Sequence, residues 1–275
     1  MRVSEQRIEE LAGELWEAER TRRPIAPLSH TSPELGDEEA YAIQLANVAR
    51  SKKAGRRLVG YKVGLTSREA QKQFGVFEPD FGHLYDSMHV LDGACVDLTR
   101  LIQPKIEGEI ALVLGEDLSG PGITMASALR AVDFVTGAVE IVDSRIRDWK
   151  IRAVDTIADN GSSALFALSG AKVPLERIDL PTIGMCLAKN GETLVTGAGA
   201  AVLGNPVAAL VFLANQLARQ GLSLHAGDTV LSGSLGSMLS VAADDVFSCS
   251  FLSLGTVRVR FTGDAARPAT GKGAP

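Results

Sequence analysis

The spacing of apolar residues shifts from a helical period to a period of two along the chain. In residues 4–21, Ile8, Leu11 and Leu15 recur on one helical face behind Ser4, a good cap, with Glu5 in the first turn. A loop carrying Pro24, Pro27 and Pro33 follows. Asp37 then opens a second predicted helix, with Glu38 and Glu39 in its first turn and Tyr41, Leu45 and Val48 on its buried stripe. Gly55 provides the stop. From Arg57 onward the pattern is mostly β. Leu58 to Leu65 reads as a strand, followed by a short helix capped by Ser67. Further strands are predicted at 110–114, 135–142, 164–168, 183–189, 192–196, 229–231, 245–251 and 257–261. Asn190-Gly191 marks a hairpin, because both residues tolerate positive φ. Two helices interrupt the strands. One begins near Thr124 and carries Ala128, Leu129 and Val132; the other is capped by Asn205, has Pro206 at its first position and ends at Gly221. Strands outnumber helices without alternating regularly, so the expected class is α+β with a β-rich core rather than a doubly wound sheet. Residues 1–55 are expected to form a helical N-terminal region packed on the main body, 56–262 the β-rich domain, and 263–275, rich in Gly, Ala and Pro, a frayed tail.

Within this pattern, Gln103-Pro-Lys-Ile-Glu-Gly-Glu-Ile-Ala-Leu-Val-Leu114 places Glu107 and Glu109 on one face of a strand. Two like charges side by side in an apolar strand repel and are costly to desolvate. A divalent cation removes that cost, and Glu140, in a second apolar run, offers a third oxygen. Oxygen ligands without Cys or His favour magnesium, manganese or calcium over zinc. Against this stands the commonness of Glu-x-Glu on solvated strand faces. Lys62, between Gly60 and Gly64, is either a cationic partner for an anion or a lysine reaching out from a strand edge. Asp80, after Pro79, reads as a loop residue: a turn former, or an acid/base near the metal. The polar run Asp155–Ser163 offers Asp159, Asn160, Ser162 and Ser163 to a pocket or to a turn. Leu231-Ser-Gly-Ser-Leu-Gly236, which contains Ser234, puts free amides after a strand, where they can cradle a carboxylate. His30, His83, His89 and His225 lack metal-like spacing and read as structural or solvated.

Composition narrows the classes. The net charge of −5 lacks the basic footprint of nucleic-acid binding. No apolar run reads as long and uninterrupted enough to span a membrane, and the charged N-terminus lacks the apolar core of a signal peptide. Cys95, Cys186 and Cys249 form no Cys-x-x-Cys motif and are expected to be small buried hydrophobes, reduced in a cytoplasmic protein.

Several ordered segments together carry a resemblance: Gly60-Tyr-Lys-Val-Gly-Leu-Thr-Ser67, Pro79-Asp-Phe-Gly82, Gln103–Glu109, Glu140-Ile-Val-Asp-Ser-Arg-Ile-Arg-Asp-Trp-Lys150 and Asp155-Thr-Ile-Ala-Asp-Asn160. From about residue 4 to 262 the chain resembles the 2-hydroxypenta-2,4-dienoate (2-keto-4-pentenoate) hydratases, in the hydratase/decarboxylase branch of the fumarylacetoacetate hydrolase superfamily. The resemblance implies a rolled mixed-sheet core and Mg2+ or Mn2+ held by Glu107, Glu109 and Glu140. It implies catalytic roles for Lys62 and Asp80, and substrate contacts from Ser162, with Ser234 and Asp159 as further candidates. The implied substrate is a small 2-hydroxy-dienoate or 2-oxo acid from the catabolism of aromatic compounds. Homo-oligomers are expected, as is association with a related decarboxylase or a downstream aldolase.

Arg147-Asp-Trp-Lys-Ile151, Gly161-Ser-Ser-Ala-Leu-Phe166 and Thr196–Gly204 look like hydratase versions of their motifs, rather than those of a 4-oxalocrotonate decarboxylase. Ser67–Phe77 has Glu69 but no histidine, which argues against the His–Glu pair of the hydrolytic branch. The decarboxylase, and a non-catalytic metal-binding partner subunit, stand as the alternatives.

Overall fold

The computed structural model describes residues 3–263. The tail expected at 263–275 therefore lies outside the described residues apart from Gly263. The strands are β1 (Leu58–Gly64), β2 (Asp80–Tyr85), β3 (Ala94–Asp97), β4 (Pro104–Leu114), β5 (Val132–Asp143), β6 (Ser163–Leu168), β7 (Gly184–Lys189), β8 (Glu192–Ala198), β9 (Thr229–Ser234), β10 (Leu239–Ser240), β11 (Val246–Phe251) and β12 (Gly255–Thr262). The helices are α1 (Glu5–Thr21), α2 (Leu28–Thr31), α3 (Asp37–Lys53), α4 (Arg68–Phe74), α5 (Met125–Ala131), α6 (Ala153–Ala158) and α7 (Pro206–Arg219).

The strands form two curled mixed sheets, so the expected α+β class with a rolled mixed-sheet core holds. One sheet runs β2-β1-β9-β4-β5-β6, and the short β10 continues along β4 where β9 leaves it. The other runs β3-β12-β11-β7-β8. Pairing is antiparallel except for β1 with β9 and β3 with β12. The sheets meet on the face of β4 that carries Ile106, Ile110 and Leu112, all fully buried. Gly108 permits this close approach: a Cβ there would lie 2.6 Å from Cys249 Sγ. The opposite face of β4 carries Glu107 and Glu109. One residue of period thus separates the packing face from the chemical face.

The N-terminal helices pack through apolar and buried polar contacts. α1 buries Leu11 and Leu15, and the Ser4 hydroxyl accepts from Arg7 N at 3.2 Å, as its capping position predicts. Gln44 of α3 donates to the carbonyls of Phe81 and Ile157 at 3.0 and 2.7 Å, tying this helix to β2 and α6. Asp155 of α6 accepts from Ser29 N and Oγ at 2.9 and 2.7 Å, which fixes α2. The Asn190-Gly191 hairpin joins β7 to β8 with both residues at positive φ, as expected.

Several expectations need correction. The proline-rich loop contains α2, and α5 ends before Val132, which opens β5. Asp80 opens a strand rather than sitting in a loop, and the polar run at Asp155 is partly helical. Every residue of β2 is buried, so it shows none of the alternation by which a half-buried strand is recognised. Only Cys249 is buried; Cys95 and Cys186 project from the outer face of the second sheet. Gly199–Arg219 does meet the length and mean hydropathy of a membrane span. The helix within it is the 14-residue α7, about 21 Å long. It buries Leu210, Leu213 and Leu217.

Candidate metal centre and active site

β4 and β5 pair in a register that sets Glu107 directly opposite Glu140. Glu109 lies two residues further along the same face. Ligand oxygens of the three carboxylates all lie within 4.8 Å of one another, and all three residues are buried. Ser163 Oγ donates to Glu140 Oε1 at 2.5 Å, and the Gly233 amide donates to Glu109 Oε2 at 2.7 Å. Glu109 Oε1 and Glu140 Oε2 have no hydrogen-bond partner among the described residues.

Lys62 reaches this cluster from β1. Its Nζ lies 3.3 Å from Glu140 Oε2, with both side chains buried. Asp80 faces Lys62 across the β1–β2 pair, where it registers with Gly64. A Cβ at Gly64 would sit 2.1 Å from Asp80 Oδ1, so the glycine leaves the space that the carboxylate fills. Neither Asp80 oxygen meets a partner at hydrogen-bonding geometry among the described residues.

The electrostatics follow from burial. Desolvation, reinforced by Glu140, pushes Glu107 up to about 7. Desolvation with Glu140 and Glu107 raises Glu109 well above the carboxylate range. Asp80 is raised by desolvation, with Lys62 and the Thr156 hydroxyl opposing. Burial works against charge on Lys62, but Glu140, Asp80, Glu107 and Glu109 outweigh it and hold its ammonium above the ordinary range. Fully ionised, these groups set four carboxylates against one ammonium, a net −3 in a buried space. A divalent cation reduces that imbalance to −1. The donor set is all oxygen; the buried Glu109 Oε1 has no hydrogen-bond partner among the described residues, and Glu140 Oε2 has only the Lys62 ammonium near it. The residues therefore fit a hard divalent cation.

The triad opens onto a cleft of about 550 Å³ lined by Lys62, Asp80, Lys105, Glu107, Trp149 and Ser162, among others. The cleft opens where β9 gives way to β10, so that the segment around Leu235–Met238 forms a wall instead of a strand. Ser234 also lines it. Of the residues singled out in the sequence, Lys62, Asp80, Glu107, Ser162 and Ser234 line the cleft, and Glu109 and Glu140 adjoin it through Glu107, with ligand oxygens within 4.8 Å.

Asp159 is not brought to the cleft. It is buried and forms an ion pair with Arg145, whose backbone amide also donates to Asp159 Oδ2 at 2.9 Å. Burial pushes Asp159 up to about 6, with Arg145 opposing. His83 is likewise structural: buried between Tyr61 and Phe81, it is driven down to about 3 by desolvation.

Ser163, offered by the sequence to a pocket or a turn, bonds Glu140. Three contributors were missed: Thr156 stands beside Asp80, and Lys105 and Trp149 form a cleft wall. Lys105 Nζ lies 4.3 Å from the centre of the Trp149 ring. Period two already put Lys105 on the face of Glu107, and that signal could have found it. Trp149 depends on tertiary support: Asp148 and Trp149 both have positive φ, and Gln103 accepts from Asp148 N and Trp149 Nε1 at 3.1 and 2.9 Å.

Residues 39–262 match the family model described as fumarylacetoacetate (FAA) hydrolase C-terminal. The chain is 47% identical over 259 residues to a 2-keto-4-pentenoate hydratase of Paraburkholderia xenovorans (strain LB400), covering 94% of this chain and 96% of that one. It is 42% identical over 257 residues to a 2-hydroxyhexa-2,4-dienoate hydratase of Comamonas testosteroni, covering 93% and 97%. Among solved structures, the 4-oxalocrotonate decarboxylase from Pseudomonas putida G7, complexed with magnesium and adipate, superposes with a TM-score of 0.92 at 37% identity. That match covers 94% of this chain and 99% of the decarboxylase. The chain belongs to the fumarylacetoacetate hydrolase family.

Proposed function

We propose that the protein is a hydratase that adds water to 2-hydroxypenta-2,4-dienoate and gives 4-hydroxy-2-oxopentanoate, in the catabolism of aromatic compounds. The observation that carries the chemistry is the buried triad Glu107, Glu109 and Glu140 with Lys62 against it. Hydratases 42–47% identical over nearly the whole chain support the choice of reaction. Glu107, Glu109 and Glu140 would hold Mg2+ or Mn2+, which when bound supplies electrostatic stabilisation of negative charge on the substrate's oxygens.

The chain's own groups divide the remaining work. The Lys62 ammonium pairs with the substrate anion and favours charge on its 2-oxygen. Ser162 and the backbone near Ser234 fix the carboxylate. The first step moves a proton onto C5 as the 2-hydroxyl loses its own, giving a 2-oxo-3-enoate. Water then bonds through oxygen to C4 while C3 gains a proton. Asp80 carries protons in these steps, a role supported by its burial, which raises its carboxyl. In this reading the protein is cytoplasmic and a homo-oligomer, open to association with a related decarboxylase or a downstream aldolase.

The test is product identification. The purified chain is incubated with freshly generated 2-hydroxypenta-2,4-dienoate and manganese, with and without chelator, and the product is weighed. A metal-dependent gain of one water supports the reading; no gain by the chain alone rejects it. A second reading, decarboxylation of a 2-oxo diacid, is favoured by Lys105, a cation in the cleft wall suited to a second carboxylate. Loss of carbon dioxide from such a diacid, without hydration of the dienoate, would select it.

A further inference from the structure

Asn160, Gly161 and Ser162 take consecutive left-handed φ values of 56°, 62° and 56°. Two of the three are not glycine, and such a run persists only when its surroundings over-determine it. The turn matters to the site. Gly161 lies against Lys62, where a Cβ would meet the lysine Cδ at 3.0 Å. Ser162 lines the cleft, and Ser163 holds Glu140.

One side chain grips both ends of the turn. Arg145 donates from Nε to the Asp159 carboxylate and from Nη2 to the Asp159 carbonyl. Its Nη1 donates to the carbonyls of Ser163 at 3.0 Å and Asp143 at 2.7 Å. Asp159 Oδ2 in turn faces the hydroxyls of Ser144 and Ser162, at 3.3 and 3.5 Å. The middle of the turn is fastened to β2: Asn160 Oδ1 accepts from His83 N at 2.7 Å, and its Nδ2 donates to the His83 carbonyl at 2.9 Å.

We infer that Arg145 and Asp159 form a buried clip that positions Glu140 and Ser162, acting through the left-handed turn and Ser163. This inference rests on the metal-binding reading of the triad. Arg145 does not line the cleft, so it is a positioning residue. A guanidinium is required because its donors diverge to three carbonyls and a carboxylate; a lysine ammonium cannot reach all of them.

Calorimetric Mn2+ titration of the full chain tests this, with Arg145→Lys, Ser163→Ala, Asp159→Asn and the Arg145→Lys/Ser163→Ala double variant. Arg145→Lys and Ser163→Ala should each weaken Mn2+ binding by about tenfold or more, as loss of a partner behind a metal ligand does. The double variant should bind no more weakly than the worse single one, because both act on the same contact. A merely structural arginine would lower the melting temperature and leave the Mn2+ affinity alone. Folded Arg145→Lys with affinity within twofold of the parent overturns the inference, as do losses that multiply in the double variant. If Arg145→Lys does not fold, Asp159→Asn, which keeps the shape of the carboxylate, is read by the same criterion. No substrate enters this measurement, so its failure is separate from a failure of the hydratase assay.

Discussion

Lys62 Nζ lies 3.3 Å from Glu140 Oε2 although the two residues stand three strands apart, on β1 and β5. On a flat sheet three steps span about 14 Å, and strand side chains stand roughly perpendicular to the sheet instead of reaching along it. The contact exists because the sheet curls and its chemical face is concave. The same curvature brings Asp80, on the strand beyond β1, to the cleft that the triad opens into. Rolling the sheet thus gathers one ammonium and four carboxylates in a buried space.

Glu109→Gln should lower Mn2+ affinity by about 100-fold or more and abolish turnover, with the far-UV spectrum unchanged. Glu109 is fully buried, and an amide supplies no charge to a cation. Calorimetry and the product assay read both effects. Full metal-dependent activity in this variant would remove Glu109 from the site.

Metal-free protein should lose stability as pH rises from 4.5 through about 7. Glu107 is raised from 4.5 to about 7 by burial, so the folded state holds a proton that the unfolded state releases. The penalty is absent below the unfolded value and complete above the folded one. Glu109, raised in the same direction, extends the trend upward. Thermal melting with chelator should show the decline, and saturating Mn2+ should flatten it. Equal slopes with and without metal would contradict the charge argument.

How much of this was legible in the sequence differs between residues. Glu107 and Glu109 were visible because period two is local, and Glu140 because a family motif surrounds it. β2 was hidden because burial on both faces erases alternation. Spacing puts Asp159 next to Ser162 along the chain, but its burial against Arg145, which follows β5, is set by tertiary packing. Ser163 stood out only as part of a polar run, and its bond to Glu140 arises from strand register; Thr156 carries no sequence signal of its own, and its place beside Asp80 arises from the packing of α6. Positive φ at Asp148 and Trp149 is likewise a tertiary outcome, imposed by Gln103.

Asp80→Asn should reduce kcat by about 100- to 10,000-fold, the usual range for a lost acid/base, while Mn2+ affinity stays within a few fold. Gly64→Ala should mimic it in part, because the added methyl would occupy space 2.1 Å from Asp80 Oδ1. Steady-state kinetics beside Mn2+ titration separates the two effects. Loss of metal affinity equal to the loss of rate would make Asp80 a structural support of the triad.

Lys62→Met should lower kcat by about 1,000-fold, consistent with removal of a buried charge that stabilises a developing anion. Its effect on Mn2+ affinity should be small or favourable, since removing an ammonium beside Glu140 leaves the carboxylates freer for a cation. Unchanged kcat would return Lys62 to a purely structural role.

The most direct measurement is turnover of 2-hydroxypenta-2,4-dienoate in 18O-labelled water by the parent chain and by Glu109→Gln, each titrated with Mn2+. The account predicts 4-hydroxy-2-oxopentanoate with one 18O at C4, formed by the parent in proportion to bound metal and not by the variant. Label-free product, turnover by the parent that persists after chelation, or parent-like turnover by Glu109→Gln, would contradict it.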